Sequence, residues 1–533
     1  MRVIGYHIQH GILANSDGQT TDKNYLDFLM ADKGECIKVF YCLDQAVATL
    51  LKLWGLHNEP KMCRKLWDTE QLYIPGTGVM IKYRPHKYFS VKDGAGYDSP
   101  FVNFSDASQY LGRVDYDLVF ALSTADNVIL KAREAQAVCQ QVYAALVELG
   151  LHPTSLTSPI RAWEKEMLPE YNLPTVADMP PEVGRYAYKC CHGGWVEVFK
   201  KGHFLDTWDY DIVSAYPYYL SQLLDHRYGK WTKAENYTKG NPFSFWRCHT
   251  RIDAKISPLI ISKIANGSRM SYTPTGEIDE YYMTGPALEF IHRYNIGLVD
   301  VVDGWYWLPG YDKRTPLKPV IDGLFTVKEK STGIKREVVK RITNGIWGKL
   351  GETHKHGFGE HFNPVWHAWV ESQARIEVAR FIYDNKLQDY LLSIAVDGVL
   401  SSHAVTDISS FNGGSMGSWR LTAHCPALVI SSGLVAVKDK EVVSDFSANY
   451  DWLLAEIQLY PKQKEYTQTK AAPVTLGRAI NTKHLDKLGD IIDITKTINV
   501  ENEPKRLYKN SPKNGKQLLN NIYDSYPVDI SIV

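Results

Sequence analysis

The sequence predicts an α/β protein of more than one domain, and three observations carry that expectation. The chain has 533 residues, well past the roughly 250–300 at which a single core stops growing. Short apolar runs at residues 3–8, 37–42 and 117–122 alternate with longer stretches of helical periodicity. Prolines then divide the chain: Pro174, Pro180 and Pro181 mark a break near residue 180, and Pro461, Pro504, Pro512 and Pro527 interrupt a more polar tail. A hydrophobic content of 44% with 12% aromatics belongs to a folded chain rather than a disordered one.

Residues 1–180 read as mixed α/β. Over 125–149, Val128, Ala132, Ala135, Cys139, Val142, Leu146 and Leu149 recur at alternating spacings of four and three, the apolar face of one helix. A second α/β region covers 185–432. Within it, residues 204–212 read as a strand and 366–383 as a helix containing Glu371 and Arg375. No internal repeat or low-complexity segment is present.

Lys plus Arg and Asp plus Glu both total 60, so the global charge points to no class of partner. Locally the balance shifts. Between Lys328 and Lys349, seven basic residues face only Glu329 and Glu337, and between Lys462 and Lys516 twelve basic residues face six acidic ones. Such a run is ordinarily a solvated helix face; the small-residue pattern that directly follows the basic residues of 328–349 argues against that reading there, and the weaker bias of 462–516 is consistent with contact to a polyanion backbone. The eight cysteines form no CxxC pair, and the vicinal Cys190–Cys191 is ill placed to bridge distant strands. Neither a zinc site nor a disulfide framework is expected, and a reducing, cytoplasmic setting is. The N-terminal MRVIGYHIQHG lacks the long apolar core of a signal peptide, and no apolar run reaches the roughly 18–20 residues that cross a bilayer, so no membrane partner is expected.

Three segments carry chemistry. Asp211-Ile-Val-Ser-Ala-Tyr-Pro217 ends a strand-like run, with Pro217 near the first turn of a following helix. By itself a strand-terminal aspartate more often caps a helix than holds a cation. In Ile394-Ala-Val-Asp397-Gly398-Val-Leu, two apolar runs flank an Asp-Gly dipeptide, a hairpin signal because a type I′ turn needs positive φ at both central residues. Asp397 would then sit at the hairpin tip, either as a plain turn residue or as a carboxylate sharing a metal with Asp211. In Lys340-Arg-Ile-Thr-Asn344-Gly-Ile-Trp347-Gly348, helical spacing places Lys340, Asn344 and Gly348 on one face, with Arg336 one turn earlier. Gly345 and Gly348 would cost about 1 kcal/mol each inside a helix, so something flat or bulky is expected to need that space.

Together these segments resemble the motifs of family B DNA polymerases, above all the small viral, plasmid and mobile-element members related to the protein-primed ones. Asp211-x-x-Ser214-Ala215-Tyr216-Pro217 is similar to the first palm motif DxxSLYP, with Ala215 for Leu. Lys340-x-x-x-Asn344-Gly-x-Trp347-Gly348 resembles the fingers motif KxxxNSxYG, with Gly345 for Ser and Trp347 for Tyr. Val396-Asp397-Gly398 resembles the second palm motif DTDS, with Ala395 at its first aspartate. The order is that of the family, with separations of 129 and 57 residues. Cys191-His-Gly193-Gly194, followed by Glu197, resembles the YxGG element, with Cys for Tyr. Leu324-Phe325-x-x-Lys328 sits where a basic fingers residue meets the triphosphate, and Gly417-Ser-Trp419 resembles the GxW of small members.

The resemblance implies a right-hand polymerase behind a ribonuclease-H-like, exonuclease-like domain: 1–180 exonuclease-like, 181–317 first part of the palm, 318–350 fingers, 351–430 second part of the palm, 431–533 thumb and tail. It implies two Mg²⁺ ions (with Mn²⁺ as a substitute) held by Asp211 and Asp397. Contacts to the incoming nucleotide would come from Lys340, Lys328, Asn344, Tyr216, Ser214 and Ala215, with Tyr216 lying under the sugar to exclude a 2′-hydroxyl. Contacts to DNA would come from Gly193, Gly194, Gly348, Trp347 and Trp419. Partners would be primer-template DNA and dNTPs, with a terminal protein or replication accessory proteins beside them, in the cytoplasm of a host cell for a viral or plasmid element. The family's exonuclease carries a DxE pair on an early strand, whereas residues 2–10 hold no carboxylate. Asp44 and Glu134 stand near the second and third exonuclease motifs, so the domain is expected to be a scaffold that does not proofread. The alternatives are a non-catalytic, nucleic-acid-binding relic and a primer-independent primase-polymerase. His354, His356 and His361 are metal ligands by type but lie in a Gly-containing loop after the fingers motif, and no metal is expected there.

Overall fold

The computed structural model describes the chain apart from residues 32–35, 75–77, 94–100, 112–123, 167, 266–267, 355–356, 407–413, 440–448, 502, 504 and 531–533. The strand expected at 117–122 lies outside the described residues, as does His356. The chain forms two compact units. One comprises Met1–Glu170, Val327–Ile342 and Gln468–Lys496; the other comprises Tyr171–Thr326, Thr343–Thr467 and Thr497–Val533. The first unit therefore gathers two segments far along the chain in addition to the N-terminal stretch.

The first unit is built on an eight-stranded sheet of β1 (Arg2–Gln9), β2 (Ile12–Asn15), β3 (Thr20–Thr21), β4 (Cys36–Phe40), β5 (Gln71–Ile74), β6 (Val79–Arg84), β7 (Tyr88–Asp93) and β8 (Val102–Asp106), in the order β3-β2-β1-β4-β8-β7-β6-β5. β1, β4 and β8 run parallel and their neighbours antiparallel. All of β1 except Arg2 is buried, as a strand covered on both faces requires. One cover is the helix Ala125–Glu148, which buries Val128, Ala132, Ala135, Cys139, Val142 and Leu146, the face that periodicity predicts. It lies so close that a Cβ on Gly5 would stand 1.8 Å from the Ala132 carbonyl oxygen, so only glycine fits there.

The second unit holds a five-stranded antiparallel sheet in the order Trp419–His424, Trp208–Ile212, Gly398–Ser401, Leu391–Ala395, Val196–Val198. The helix Pro364–Asp384 packs against helices Pro181–Lys189 and Ala215–Ser221. Its buried residues, Ile376, Val378, Ala379, Phe381 and Ile382 among them, join Trp195, Tyr210, Trp246 and Trp419 in one core. A second, mostly antiparallel sheet includes Gly229–Ala234, Ser244–Ile252, Pro274–Thr284 and Gly297–Pro309.

Two expectations are corrected in detail. The strand expected over 204–212 is two strands, Lys200–Phe204 and Trp208–Ile212, broken at Leu205-Asp206-Thr207. The hairpin after Leu391 turns one residue earlier than Asp-Gly suggests: Ala395 pairs with Gly398, so the turn residues are Val396, at φ +62°, and Asp397. Val396 tolerates this β-branched misfit because its N–H bonds the Trp195 carbonyl at 2.7 Å and its side chain lies against Gly194. Residues 318–350 form two helices, Lys318–Lys330 and Gly333–Leu350, parted at Gly333 with φ +55°. Among the described residues no helix is long and apolar enough to cross a membrane.

Candidate active site

The second unit brings Asp211, near the end of the strand Trp208–Ile212, beside the hairpin turn that carries Asp397. Asp211 pairs in register with Gly398, and the Ile212 N–H donates to the Asp397 carbonyl at 3.1 Å. A Cβ on Gly398 would lie at van der Waals contact, 3.8 Å, from Asp211 Oδ1, so the residue after Asp397 runs directly past the Asp211 carboxylate. The Asp211 side chain is about one-third exposed and meets Arg420 Nη2 at 3.1 Å. Asp209, two residues upstream, is buried. Among the described residues no three His, Cys, Asp or Glu side chains cluster as a metal cage. Two carboxylates, one on a strand and one on the adjoining hairpin turn, still suit Mg²⁺, which is commonly held by one or two carboxylates and completes its shell with water and substrate phosphate oxygens. The Arg420 contact shows that the position of Asp211 accepts a positive partner.

Beyond Asp211, Ser214 stands at φ +53° before the helix Ala215–Ser221, and Ala215 is buried. Gly417 donates to the Val213 carbonyl at 2.7 Å, and Val213 donates to the Ser418 carbonyl at 2.9 Å. Gly417 has φ +85°, and a Cβ on it would fall 2.5 Å from the Tyr218 ring, which accounts for glycine in the GxW segment. Trp419 itself is a core residue: its ring stacks on Phe381 with centroids 3.9 Å apart, and Nε1 donates to Glu377 Oε1 at 3.2 Å. One face of the Trp419 ring is thus covered by Phe381.

Tyr216 packs beside Trp347, centroids 4.7 Å apart, and Trp347 lies flat on His367 at 4.4 Å and 14°. Burial, with the nearby Glu371 carboxylate, pushes the Tyr216 hydroxyl well above its ordinary range, so it stays a neutral phenol. Glu371 and Arg375, one turn apart on Pro364–Asp384, form a buried ion pair. Glu371 Oε1 also accepts from the N–H groups of His192 at 2.8 Å and Gly193 at 2.6 Å, and Arg375 donates to the Gly193 carbonyl at 2.7 Å. Burial alone would raise the Glu371 pKa, but Arg375, His367 and the Gly193 N–H together hold it below its ordinary value. The Cys191–Gly194 segment is thus clamped by this pair, with Gly194 against the hairpin turn at Val396. Glu197 belongs to a different lock, a buried pair with Arg506 at 2.8 Å that ties in the C-terminal segment.

Lys340, Asn344 and Gly348 share the exposed face of Gly333–Leu350, as their spacing predicts. An added Cβ on Gly348 would meet nothing within 4 Å, so that face is open. Lys340 has a half-exposed ammonium 3.9 Å from Glu337, and Lys328 lies 3.4 Å from Glu329.

In the first unit, Asp44 opens the helix Leu43–Leu53 and is held by Tyr83 Oη, the His86 N–H and His86 Nδ1, each at 2.9 Å. Beside it Asp106 caps the same helix through the Leu43 N–H at 3.2 Å; burial pushes its carboxyl above the usual range, and Asp44 adds to the shift. Glu134 instead meets Lys131 at 2.9 Å and lies near Tyr41. The buried polar residues of β1 are His7 and Gln9, and burial lowers the His7 pKa to about 4. Sequence reasoning missed Arg420, His367 and Asp106. Arg420 and His367 were in view, one directly after Gly417-Ser-Trp419 and the other one turn before Glu371, but neither type carries a signal without its contacts.

No protein-family model and no curated protein sequence matches the chain. Solved structures do. Phi29 DNA polymerase in an orthorhombic crystal form aligns with a TM-score of 0.61 at 12% identity, over 94% of this chain and 100% of the other. The same polymerase complexed with primer-template DNA aligns at 0.60 and 12% over the same shares. Its ternary complex with primer-template DNA and incoming nucleotides gives 0.58 and 14%, over 94% and 99%. The fold is similar to that of Phi29 DNA polymerase. At this identity it is the arrangement of elements over nearly the whole chain that is shared, and the side chains must be argued from their own positions.

Proposed function

We propose that the chain is a template-directed DNA polymerase of the family B type, which adds deoxynucleotides to a primer 3′-hydroxyl. The observation that carries this reading is the juxtaposition of Asp211, on a strand, with the hairpin turn at Asp397, within a fold similar to that of Phi29 DNA polymerase. In the reaction the 3′-oxygen attacks the α-phosphorus, the bond to the β-phosphate bridging oxygen breaks, and pyrophosphate leaves. Two Mg²⁺ ions, when bound, would supply charge stabilisation to the attacking and leaving oxygens.

The chain's own residues supply the rest. Asp211 and Asp397 provide the carboxylates of the palm. Tyr216, kept neutral and packed on Trp347, presents a flat ring under the sugar. Lys340 and Lys328, on the fingers helices, are point charges for the triphosphate. Asn344, Trp347 and Gly348 face the nascent pair, with Ser214 and Ala215 at the triphosphate, and Gly193 and Gly194 meet the template strand at a loop fixed by Glu371 and Arg375. The exonuclease-like unit serves as scaffold: β1 offers His7 and Gln9 where the family carries carboxylates, Asp44 is engaged by Tyr83 and His86, and Lys131 neutralises Glu134.

The test is primer extension with and without primer, and with dNTPs or NTPs, on the wild type and on Asp211→Asn and Asp397→Asn. Each substitution is expected to abolish incorporation while leaving the primer-template Kd nearly unchanged, because the amide keeps the shape and removes the charge. Activity retained in both variants, or no extension by the wild type under any condition, refutes the reading; the second outcome would leave a nucleic-acid-binding relic. Extension without primer would identify a primase-polymerase.

A further inference from the structure

We infer that His367 is a positioning residue for sugar selection, the backstop that holds Trp347, and through it Tyr216, against the sugar of the incoming nucleotide. The inference rests on the polymerase reading above and deepens it. Three rings stand in series: Tyr216 beside Trp347 at 4.7 Å, and Trp347 flat on His367 at 4.4 Å and 14°. A gate that excludes a hydroxyl acts by refusing to yield, so its selectivity depends on what stands behind the ring. Behind Tyr216 stands Trp347, and behind Trp347 stands His367.

The seat of His367 is itself built. A Cβ on Gly351 would fall 2.3 Å from His367 Cε1, so the absence of a side chain at Gly351 makes room for the ring. On the other side Glu371 Oε2 lies 3.9 Å from His367 Nε2, and Glu371 is anchored by Arg375 and the N–H groups of His192 and Gly193. Burial lowers the His367 pKa, so the ring stacks as neutral imidazole. Neither His367 Nδ1 nor Trp347 Nε1 has a hydrogen-bond partner, although both are buried. The His367 ring also interacts with the Trp347 backbone through a hydrogen bond, so the stack is held by that bond, by ring contact and by the walls around it, and removing the histidine ring takes away both the bond and the flat surface under Trp347.

The experiment measures steady-state kcat and KM for a dNTP and for the matching NTP, with primer-template Kd and Tm, for the wild type, His367→Ala, Gly351→Ala, His367→Phe and Tyr216→Val. His367→Ala is expected to lower the dNTP/NTP selectivity ratio about two- to tenfold, the effect of one aromatic contact, mainly through a lower KM for the NTP. Gly351→Ala, which drives the ring from its seat without touching it chemically, should lower the ratio in the same direction. His367→Phe, which keeps a flat ring, should restore it. A ratio unchanged in His367→Ala and Gly351→Ala while Tyr216→Val lowers it overturns the role of His367 and leaves the gate standing. A lower Tm with all substrates affected in proportion does the same. A ratio unchanged in Tyr216→Val overturns the gate, and the backstop with it.

Discussion

Replacing Glu371 by Gln removes one charge from a pair that is almost wholly out of water: the side chains of Glu371 and Arg375 are 3% and 6% exposed. The amide keeps an oxygen where Oε1 accepts from the His192 and Gly193 N–H groups, so those two bonds survive and the loss is electrostatic. Arg375 is left buried beside a neutral partner. Breaking a buried pair in this way costs about 3–5 kcal/mol, because one charge is left uncompensated. Glu371→Gln should therefore destabilise the second unit by that amount, whereas Glu371→Ala should cost more, since two N–H groups also lose their acceptor at about 1–3 kcal/mol each, reduced by the partial exposure of the loop. Arg375→Met in the Glu371→Gln background should recover much of the loss, because no uncompensated charge remains.

The assay is urea denaturation followed by tryptophan fluorescence, with Trp195 and Trp419 in the same core as reporters. The pH dependence has a definite sign. The Glu371 pKa is held below its unfolded value, so its contribution is present above the unfolded pKa and is lost as pH falls through the folded one. The gap between wild type and Glu371→Gln should thus be full at neutral pH and close in acid. A cost below about 1 kcal/mol at neutral pH, or no recovery in the double variant, would refute the argument that this pair clamps the Cys191–Gly194 loop as an uncompensable charge unit.

Lys340→Ala should raise the KM for dNTP more than it raises the primer-template Kd, since a point charge on the triphosphate acts only when nucleotide is present; an equal loss in both places Lys340 on the template backbone. A labelled primer with a mismatched 3′ end, incubated with Mg²⁺ or Mn²⁺ and no nucleotides, should remain intact, and Asp44→Ala or Glu134→Ala should change nothing. Trimming that disappears in Asp44→Ala would show a working nuclease. Asp209→Asn should retain most incorporation, as that carboxylate is buried two residues from the paired strand end; loss there with activity kept in Asp211→Asn would move the metal site by one alternation of the strand.

Much of the local structure was legible. The helix Ala125–Glu148 followed from seven apolar positions on one face, six of which are buried. The hairpin after Leu391 followed from two apolar runs around a turn dipeptide, but its exact turn did not: Val396 takes φ +62° against its own preference because the Trp195 carbonyl and Gly194 receive it. The packing of Trp419 was not legible for a related reason. Nothing in Gly417-Ser-Trp419 discloses that Phe381, 38 residues earlier, covers one face of its ring.

The sequence by itself determined the elements and the order of the chemical segments, because periodicity, turn residues and short motifs act over a few residues of contiguous chain. The pairing of Asp211 with the turn at Asp397, the Glu371–Arg375 clamp on Cys191–Gly194, the Tyr216–Trp347–His367 stack and the Glu197–Arg506 lock were decided by tertiary structure. Each joins residues from different elements, up to 309 positions apart in the case of Glu197 and Arg506. A charge or a ring has no meaning along the chain until burial removes its water and leaves one partner in reach.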